Sequence, residues 1–422
     1  MQSLSPSRVL VPLGLAVCLS LFGDLTLYAV LVTQLDEVGL SLAAVGVMLG
    51  VNRLVRIPGN PLAGVLFDRW GRRRLFIVGM LLGVLSTASY GLVRGFWPFL
   101  VSRLAWGIAW TLINVGGMAM VLDVSTRSSR GRLAGVYNAW MWAGFALGPL
   151  VGGFLVDIVG FRLAMLTCAG LTAIGLAVAV VALPETARSA NGDTQGKLRP
   201  TLSLRRCLDD ARWRGRNLLH ADHSLATVLW LFLITQFAGD GVVLSTISLL
   251  LQQRFGQRVA LGSLALGVAS ASGALLGLRS LLASTVGPLA GYLSDAHTGR
   301  WPVIVGSLVV GIAGFGLLSF AMAPGAIVLG VALGAVSGGA ALATLAAQVG
   351  DLAPPGRKGM MMGAYATAGD VGSMAGPFLA YALLSVADLR WVYLLCTFTF
   401  LVGLWLIWRS RGVQFCKSTP ES

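Results

Sequence analysis

Seven charged side chains fall within the long apolar runs of this 422-residue sequence. If such a run crosses a lipid bilayer, a charge near its centre costs about 3 kcal/mol or more when it faces lipid. We therefore expect these side chains to face an internal cavity and one another. They are Asp24, Arg53, Arg56, Arg103, Asp240, Arg279 and Asp370.

Two of these charges, Asp24 and Arg53, lie at similar depth on adjacent predicted helices. At about 1.5 Å per residue, Asp24 lies roughly 23 Å from the cytoplasmic end of its helix and Arg53 about 21 Å from the cytoplasmic end of its own. Asp240 and Arg279 repeat this geometry later in the chain. The spacing predicts two pseudo-symmetric Asp–Arg pairs, one on each side of a central cavity.

A buried aspartate beside an arginine can carry a proton. Its proton affinity changes when the arginine moves away, so a conformational change can drive proton uptake and release. Asp24 is the first candidate, because Arg53, Arg56 or Arg103 is available as its partner. Asp240 and Asp370 are the next candidates. The alternative is that these aspartates form permanent structural ion pairs.

Polar and aromatic residues recur around these charges at helical spacing. Asn52, Arg56 and Asn60 lie four residues apart and form one polar stripe. We expect substrate contacts from such residues, although ordinary packing is the alternative for each aromatic side chain. Four arginines against three aspartates also favour an anionic or zwitterionic, partly apolar substrate. The candidate contacts are Tyr28, Asn52, Arg53, Arg56, Trp110, Asn114, Gln236 and Arg279.

The elements that must position these side chains are membrane helices. The chain is 56% hydrophobic and only 11% charged, whereas soluble domains are about 25% charged. A membrane span needs about 20 apolar residues. Twelve spans are predicted, at about 9–33, 42–67, 75–93, 97–122, 133–157, 162–183, 224–251, 262–293, 302–322, 325–350, 359–386 and 390–408.

The net charge of +14 would favour nucleic-acid binding on a soluble protein, but its distribution indicates membrane topology. With the N-terminus in the cytoplasm, 22 of the 31 Lys and Arg residues lie on the cytoplasmic side and five on the opposite side. Cytoplasmic loops of membrane proteins carry such an excess. We expect both termini in the cytoplasm and no nucleic-acid partner.

The two halves of the chain repeat each other. The segment from Pro61 to Asp68 reappears from Pro288 to Asp295, 227 residues later. At an offset of 228, the residues Asp123, Gly135, Tyr137, Gly144, Gly148, Pro149 and Arg162 match Asp351, Gly363, Tyr365, Gly372, Gly376, Pro377 and Arg390. These identities indicate that a six-helix unit has been duplicated in parallel orientation.

At this point the sequence resembles the major facilitator superfamily of secondary transporters, over nearly the whole chain. The segment from Gly64 to Arg72 matches the signature of that family's loop between helices 2 and 3, and Gly291 to Arg300 is its degraded second copy. Arg103 matches the fourth-helix motif, and the resemblance links this position to proton coupling. The proton-coupling set is then Asp24, Arg103, Asp240 and Asp370.

The resemblance also implies a conformational gate on the cytoplasmic side. Asp68, Arg72 and Asp123 would form a charge cluster that holds the two halves together in the outward-open state. For the neighbouring arginines, simple positive-inside anchoring is the alternative. The gate residues are Gly64, Asp68, Arg69, Gly71, Arg72, Asp123 and Asp295.

A glycine-rich face on the fifth helix resembles a motif that the family associates with proton-driven exporters. The second half keeps Gly372, Gly376 and Pro377 but replaces the last two glycines with Ala380 and Tyr381. The first part of the motif can therefore be packing machinery common to both halves. The motif residues are Gly144, Gly148, Pro149, Gly152 and Gly153.

Together these features predict an all-α membrane protein with twelve helices in two pseudo-symmetric six-helix bundles. The expected domains are 1–186 and 223–422, joined by a cytoplasmic linker, 187–222. The expected function is proton-coupled secondary transport by alternating access, in the direction of export, of amphiphilic drug-like, organic-anion or lipid-like molecules. The alternatives are a proton symporter, a uniporter or a lipid flippase for an anionic or zwitterionic substrate.

Other classes of function lack their sequence signals. There is no G-x-x-x-x-G-K-[ST] loop for an ATP-driven pump and no nucleophile or metal constellation for an intramembrane enzyme. We expect no metal and no cofactor, with the proton gradient as the energy source. The expected partners are a small-molecule or lipid-like substrate and membrane lipids, and the protein is expected to be a monomer in the inner or plasma membrane.

Overall fold

The apolar runs form helices, because a helix satisfies its own backbone hydrogen bonds within a bilayer. The structure, a computed structural model, describes residues 5–126, 129–186, 223–261, 264–353 and 358–416. Across these residues the chain forms twelve long helices, as the sequence predicts, and eleven of them are long and apolar enough to cross a membrane. The predicted linker, 187–222, lies outside the described residues, so the domain boundaries stay a prediction.

The first six long helices of the described residues form the N-half. A 3₁₀ turn and a short helical turn extend the first of them as far as Val38. The six are α1 (Pro6–Val30), α2 (Leu42–Trp70), α3 (Arg72–Leu92), α4 (Phe96–Asp123), α5 (Arg130–Val159) and α6 (Phe161–Ala182).

The other six long helices form the C-half. The first of them, α7, changes to π-helical geometry over Phe237–Val243 and then continues. The six are α7 (His223–Gln236, continued to Phe255), α8 (Val268–Leu293), α9 (Arg300–Phe320), α10 (Pro324–Leu352), α11 (Lys358–Leu383) and α12 (Leu389–Cys416).

The predicted start of the eighth helix, near residue 262, is wrong. A two-stranded antiparallel hairpin, β1 (Arg258–Leu261) and β2 (Leu264–Gly267), precedes α8, which begins at Val268. Short apolar runs do not distinguish strand from helix by periodicity, so the hairpin was absorbed into the predicted helix. The last helix also extends beyond its predicted end, to Cys416. The prediction ended at residue 408 because the final turns of the helix are basic and not apolar.

Glycines pack the fifth helix of each half against the first helix of that half. A Cβ at Gly144 would lie 2.9 Å from the Cys18 carbonyl oxygen of α1, and one at Gly152 would overlap the Thr26 side chain. In the C-half, Gly376 packs against Gly241 of α7 in the same way. The shared part of the fifth-helix motif therefore acts in packing in both halves.

Two helix–helix interfaces, called seams here, join the halves, and their contacts follow the sequence repeat. In the seam between α2 and α11, a Cβ at Gly50 would lie 3.1 Å from the Met374 carbonyl oxygen. In the seam between α8 and α5, a Cβ at Gly277 would lie 2.9 Å from the Ala146 carbonyl oxygen. Gly277 is the repeat position of Gly50, and Met374 is the repeat position of Ala146. The two seams are therefore pseudo-symmetric.

Across the part of the chain that the structure describes, the seams are closed at one end of the bundle. The end that carries Arg72 and Arg300 is called here the basic end, and the opposite end the outer end. At the outer end, Gly153 of α5 approaches the backbone of α8 too closely for a side chain. Towards the basic end, Gly64 and Gly291 have nothing within 4 Å of an added Cβ. The halves therefore meet at the outer end and diverge towards the basic end.

Candidate functional site

The Asp24 carboxylate of α1 forms an ion pair with the Arg103 guanidinium of α4. Arg103 is fully buried, and its Nε also donates to the Met48 carbonyl oxygen at 2.6 Å. Its Nη1 lies 3.4 Å from the Tyr90 hydroxyl, and the guanidinium stands 5.6 Å from the centre of the Tyr28 ring. This arginine thus joins α1, α2 and α3 to its own helix, α4, around one buried carboxylate.

The predicted partner of Asp24, Arg53, does not form this pair. In the register that aligns Pro61 with Pro288, the repeat position of Arg279 is Asn52 rather than Arg53. Neighbouring residues on a helix point about 100° apart, so Arg53 is turned away from the direction that Arg279 takes. Arg103 takes the place of the missing partner.

The second predicted pair does form, between Asp240 of α7 and Arg279 of α8. Gln236 Nε2 also donates to Asp240 Oδ2 at 3.3 Å and lies 3.5 Å from Ser373 Oγ on α11. Asp240 lies inside the π-helical segment of α7, a geometry that is frequent at functional sites. Its side chain keeps 29% exposure, so this carboxylate faces open space.

A third ion pair crosses between the halves. Arg56 Nη2 of α2 lies 3.0 Å from Asp370 Oδ1 of α11, with both side chains largely buried. The polar stripe that contains Arg56 forms as predicted, and the buried Oδ1 atoms of Asn52 and Asn60 accept no hydrogen bond from the described residues. The seam between α2 and α11 is therefore closed by charge as well as by packing.

Arg53 is the remaining intramembrane arginine. It is 9% exposed, and no carboxylate of the described residues lies within ion-pair distance of it. Tyr28, Asp240 and Asp370 are close enough to act on its charge. Since each of the three intramembrane aspartates has another arginine as its partner, Arg53 supplies the excess positive charge.

The other candidate contacts divide between the site and the core. The Tyr28 hydroxyl donates to the Leu49 carbonyl oxygen at 2.9 Å, next to the Asp24–Arg103 pair. Trp110 stacks on Trp106 with ring centres 6.4 Å apart and is buried, as expected of a packing residue. Asn114, one turn further along α4, is half-buried.

The charged loops at the basic end repeat between the halves. Arg72 Nε lies 3.2 Å from Asp123 Oδ2, and at the repeat positions Arg300 Nε lies 2.7 Å from Asp351 Oδ2. Arg300 also pairs with Asp295 at 2.5 Å. Each arginine follows a glycine with positive φ, Gly71 or Gly299, which turns the chain into the next helix.

Of the predicted gate residues, Arg72 and Asp123 pair within the N-half, and Asp295 pairs with Arg300 within the C-half. Glu185 Oε1 and Oε2 accept hydrogen bonds from the backbone N–H groups of Arg72 and Arg73, at 3.0 and 3.2 Å. These bonds cap the N-terminus of α3. Asp68 lies in the last turns of α2, and Arg69 is exposed beside it. A clasp between the halves through Asp68 stays a prediction.

Sequence reasoning missed Asp157, which ties the halves together at the outer end. Asp157 Oδ2, on the last turns of α5, accepts from the backbone N–H of Ser270 at 2.8 Å and from its Oγ at 2.5 Å. Ser270 lies in the first turn of α8, where backbone donors are free for capping. The signal was hidden because the predicted helix began near residue 262, which put Ser270 in its interior.

A cavity of about 680 Å³ opens where the seam between α5 and α8 separates. Ser280 Oγ still lies 3.2 Å from the Phe145 carbonyl oxygen of α5, and the cavity begins at the next residue, Leu281. Its walls are mainly apolar. They come from α5 (including Asn138, Ala139 and Trp142), α8 (including Leu281, Ala283 and Ser284) and α10 (Gly339, Leu342 and Ala343).

Comparison with known proteins matches part of the chain to characterised relatives. This chain is 29% identical over 157 residues to Multidrug resistance protein 1 of Bacillus subtilis (strain 168), and the match covers 37% of this chain and 40% of that protein. It is 25% identical over 173 residues to Quinolone resistance protein NorA of Staphylococcus aureus (strain MRSA252), over 41% of this chain and 44% of that protein. The matched segment therefore spans less than half of each relative.

The fold and the family extend over nearly the whole chain. A bacterial homologue of the human lysosomal transporter Spinster, in an inward-facing and unoccupied conformation, superposes with a TM-score of 0.75 at 17% identity. The match covers 97% of this chain and 98% of that chain. The sequence model of the Major Facilitator Superfamily matches residues 13–280 and 269–415. The chain therefore belongs to the Major Facilitator Superfamily, whose members are multi-pass membrane transporters and not enzymes.

Proposed function

We propose that this transporter couples the movement of protons to the export of amphiphilic molecules by alternating access. The observation that carries the proposal is the Asp24–Arg103 pair, because it places a carboxylate and its arginine partner together in the buried centre of the N-half. A proton on Asp24 would cancel its attraction for Arg103. That would free α1 and α4 to move relative to each other, which links protonation to conformation.

The orientation and the direction of transport belong to the same proposal. The basic end faces the cytoplasm and carries both termini, in keeping with the excess of arginine in its loops. The open basic end is then the inward-facing state, ready to take up cytoplasmic substrate. The partial matches to multidrug and quinolone resistance proteins support export. The chain acts as a monomer, and the proton gradient supplies the energy without a cofactor.

Proteoliposomes with an imposed pH gradient test the proton coupling. The labelled probes are ethidium as an organic cation and fluorescein as an organic anion, each followed with and without the gradient. We expect the gradient to drive transport by the native protein. We expect Asp24→Asn to abolish this drive while exchange of labelled for unlabelled probe persists. Asp388→Asn, which changes an exposed carboxylate at the outer end, is the matched control and should behave as native.

Two outcomes would count against the proposal. If Asp24→Asn keeps full dependence on the gradient, Asp24 has no coupling role, and the same assay on Asp240→Asn and Asp370→Asn tests the other carboxylates. If the native protein exchanges probe but never responds to the gradient, the transporter is a uniporter. Gel filtration of each variant before reconstitution separates loss of coupling from loss of folding.

A further inference from the structure

We propose that the substrate is a single-tailed amphiphile with an anionic head, which enters sideways from the membrane between α5 and α8. In this proposal the tail occupies the cavity between α5, α8 and α10, and the head binds beside Arg53. The inference rests on the proposed transport function and assigns its substrate class.

The two seams between the halves differ at one level. The repeat aligns Arg56 with Ala283 on α8, and Asp370 with Trp142 on α5. In the seam between α2 and α11, these positions hold the ion pair at 3.0 Å. In the seam between α5 and α8, the equivalent positions line the cavity. One seam is therefore closed by charge at the level where the other is open.

The open seam is suited to an apolar chain. Its wall between the halves consists mainly of small and apolar side chains. Leu281, at the edge of the cavity nearer the outer end, is 56% exposed. A volume of about 680 Å³ lies within the range of about 300–1,000 Å³ that is usual for small-molecule sites. The helices on both sides of the opening also carry exposed apolar residues, such as Val136 and Leu289, at membrane depth. A tail can thus pass from lipid into the cavity without crossing water.

Charge defines the other end of the site. The pair formed by Asp240 and Arg279 lies next to the cavity, because Arg279 stands one turn before Ala283, a cavity-lining residue on the same face of α8. Asp240 is also one of the groups that act on the charge of Arg53. An anionic head that reaches this region meets a buried arginine with no carboxylate partner among the described residues. Binding would give Arg53 a counter-charge in direct contact, whereas Asp240 and Asp370 act on it from beyond ion-pair distance.

The test measures whether a probe shields the cavity from a thiol reagent. Cys207 and Cys416 are replaced by serine, and Ser284→Cys places one reactive thiol in the cavity wall. The rate of its alkylation by N-ethylmaleimide is measured in nanodiscs with no pH gradient. The probes share one tail and differ in the head: tetradecyl phosphate, tetradecylphosphocholine and tetradecyltrimethylammonium.

We expect tetradecyl phosphate to slow alkylation about tenfold at concentrations where the other two probes have little effect. Arg53→Gln should abolish this protection, and Arg53→Lys should restore much of it. A control thiol from Ser385→Cys, an exposed residue at the outer end, should react at one rate with or without the probe.

Two results would overturn the assignment. Equal protection by all three head groups, or protection that survives Arg53→Gln, would show that the head does not bind at Arg53. Failure of every probe to slow alkylation would show that the cavity does not hold the tail. Because this assay uses no gradient and the transport assay uses no thiol reporter, either proposal can fail while the other stands.

Discussion

At the scale of the residue, burial decides how much each ion pair contributes. Arg103 has no exposed surface, so removal of its side chain would leave Asp24 as an unpaired charge in the protein interior. Arg300 forms two ion pairs, at 2.5 and 2.7 Å, yet Asp295 and Asp351 are 63% and 57% exposed. Solvent screens these surface pairs, so their short distances do not make them strong.

Arg103→Ala is therefore expected to destabilise the protein far more than Arg300→Ala does. Breaking a buried pair on one side costs about 3–5 kcal/mol, whereas an exposed pair contributes about 0–1 kcal/mol. Thermal unfolding of both variants in the same detergent checks the difference. Equal losses of stability would contradict the distinction. Arg103→Gln combined with Asp24→Asn should recover part of the loss, because no buried charge remains.

At the scale of the element, one face of α5 brings α1 close enough for backbone contact. Thr26 Oγ1 donates to the Phe22 carbonyl oxygen at 2.6 Å and lies 3.2 Å from the Gly148 carbonyl oxygen. There is no room beside Gly152 for a Cβ next to that threonine. Small residues allow such close packing of helices in membranes, where dispersion contacts take over from the hydrophobic effect.

Gly152→Ala is expected to push α5 away from α1 and to lower the yield of folded protein, at a cost of about 1–3 kcal/mol for overpacking. Thr26→Ala in the same chain makes room and should restore part of the stability. Gly170→Ala in α6, where an added Cβ meets nothing within 4 Å, is the matched control. Gel filtration and melting temperature are the measurements. A Gly152→Ala variant with the yield and melting temperature of the native protein would contradict the packing argument.

At the scale of the whole molecule, closure of the outer end depends on two pseudo-symmetric seams and one asymmetric link. Asp157 supplies the link by capping the first turn of α8 across the halves. Its repeat position is Ser385, so the other seam has no equivalent carboxylate. Hydrogen bonds to a charged group contribute about 1.5–3 kcal/mol, enough to shift a balance between two conformations about tenfold or more.

Asp157→Ala is therefore expected to increase the population that is open at the outer end. Spin labels at Trp97→Cys and Val386→Cys, both exposed and on opposite halves, report the outer opening by electron–electron double resonance. We expect longer distances between these labels in Asp157→Ala than in the native background. Glu37→Gln, which alters an ion pair within the N-half at 3.5 Å, should leave the distances unchanged. An unchanged distribution in Asp157→Ala would exclude this residue as a latch.

Much of the fold could be predicted because the apolar runs and the repeat are long. Helix positions were predicted to within a few residues, apart from the start of α8 and the end of α12. The Asp240–Arg279 pair was predicted as well, because its two helices are adjacent in the chain. For Asp24 the sequence left Arg53, Arg56 and Arg103 open as partners, since all three lie at a compatible depth, and it did not select Arg103.

The sequence by itself determined the number of helices, their duplication into two halves, and which seven charges lie at membrane depth. The tertiary structure alone decided which arginine pairs with Asp24, which seam closes and where the cavity opens. The physical reason is that both the lipid-facing and the protein-facing sides of a membrane helix are apolar, so hydrophobic pattern does not fix its rotation. Rotation placed Arg56 against Asp370 and left Arg53 without a carboxylate of its own among the described residues.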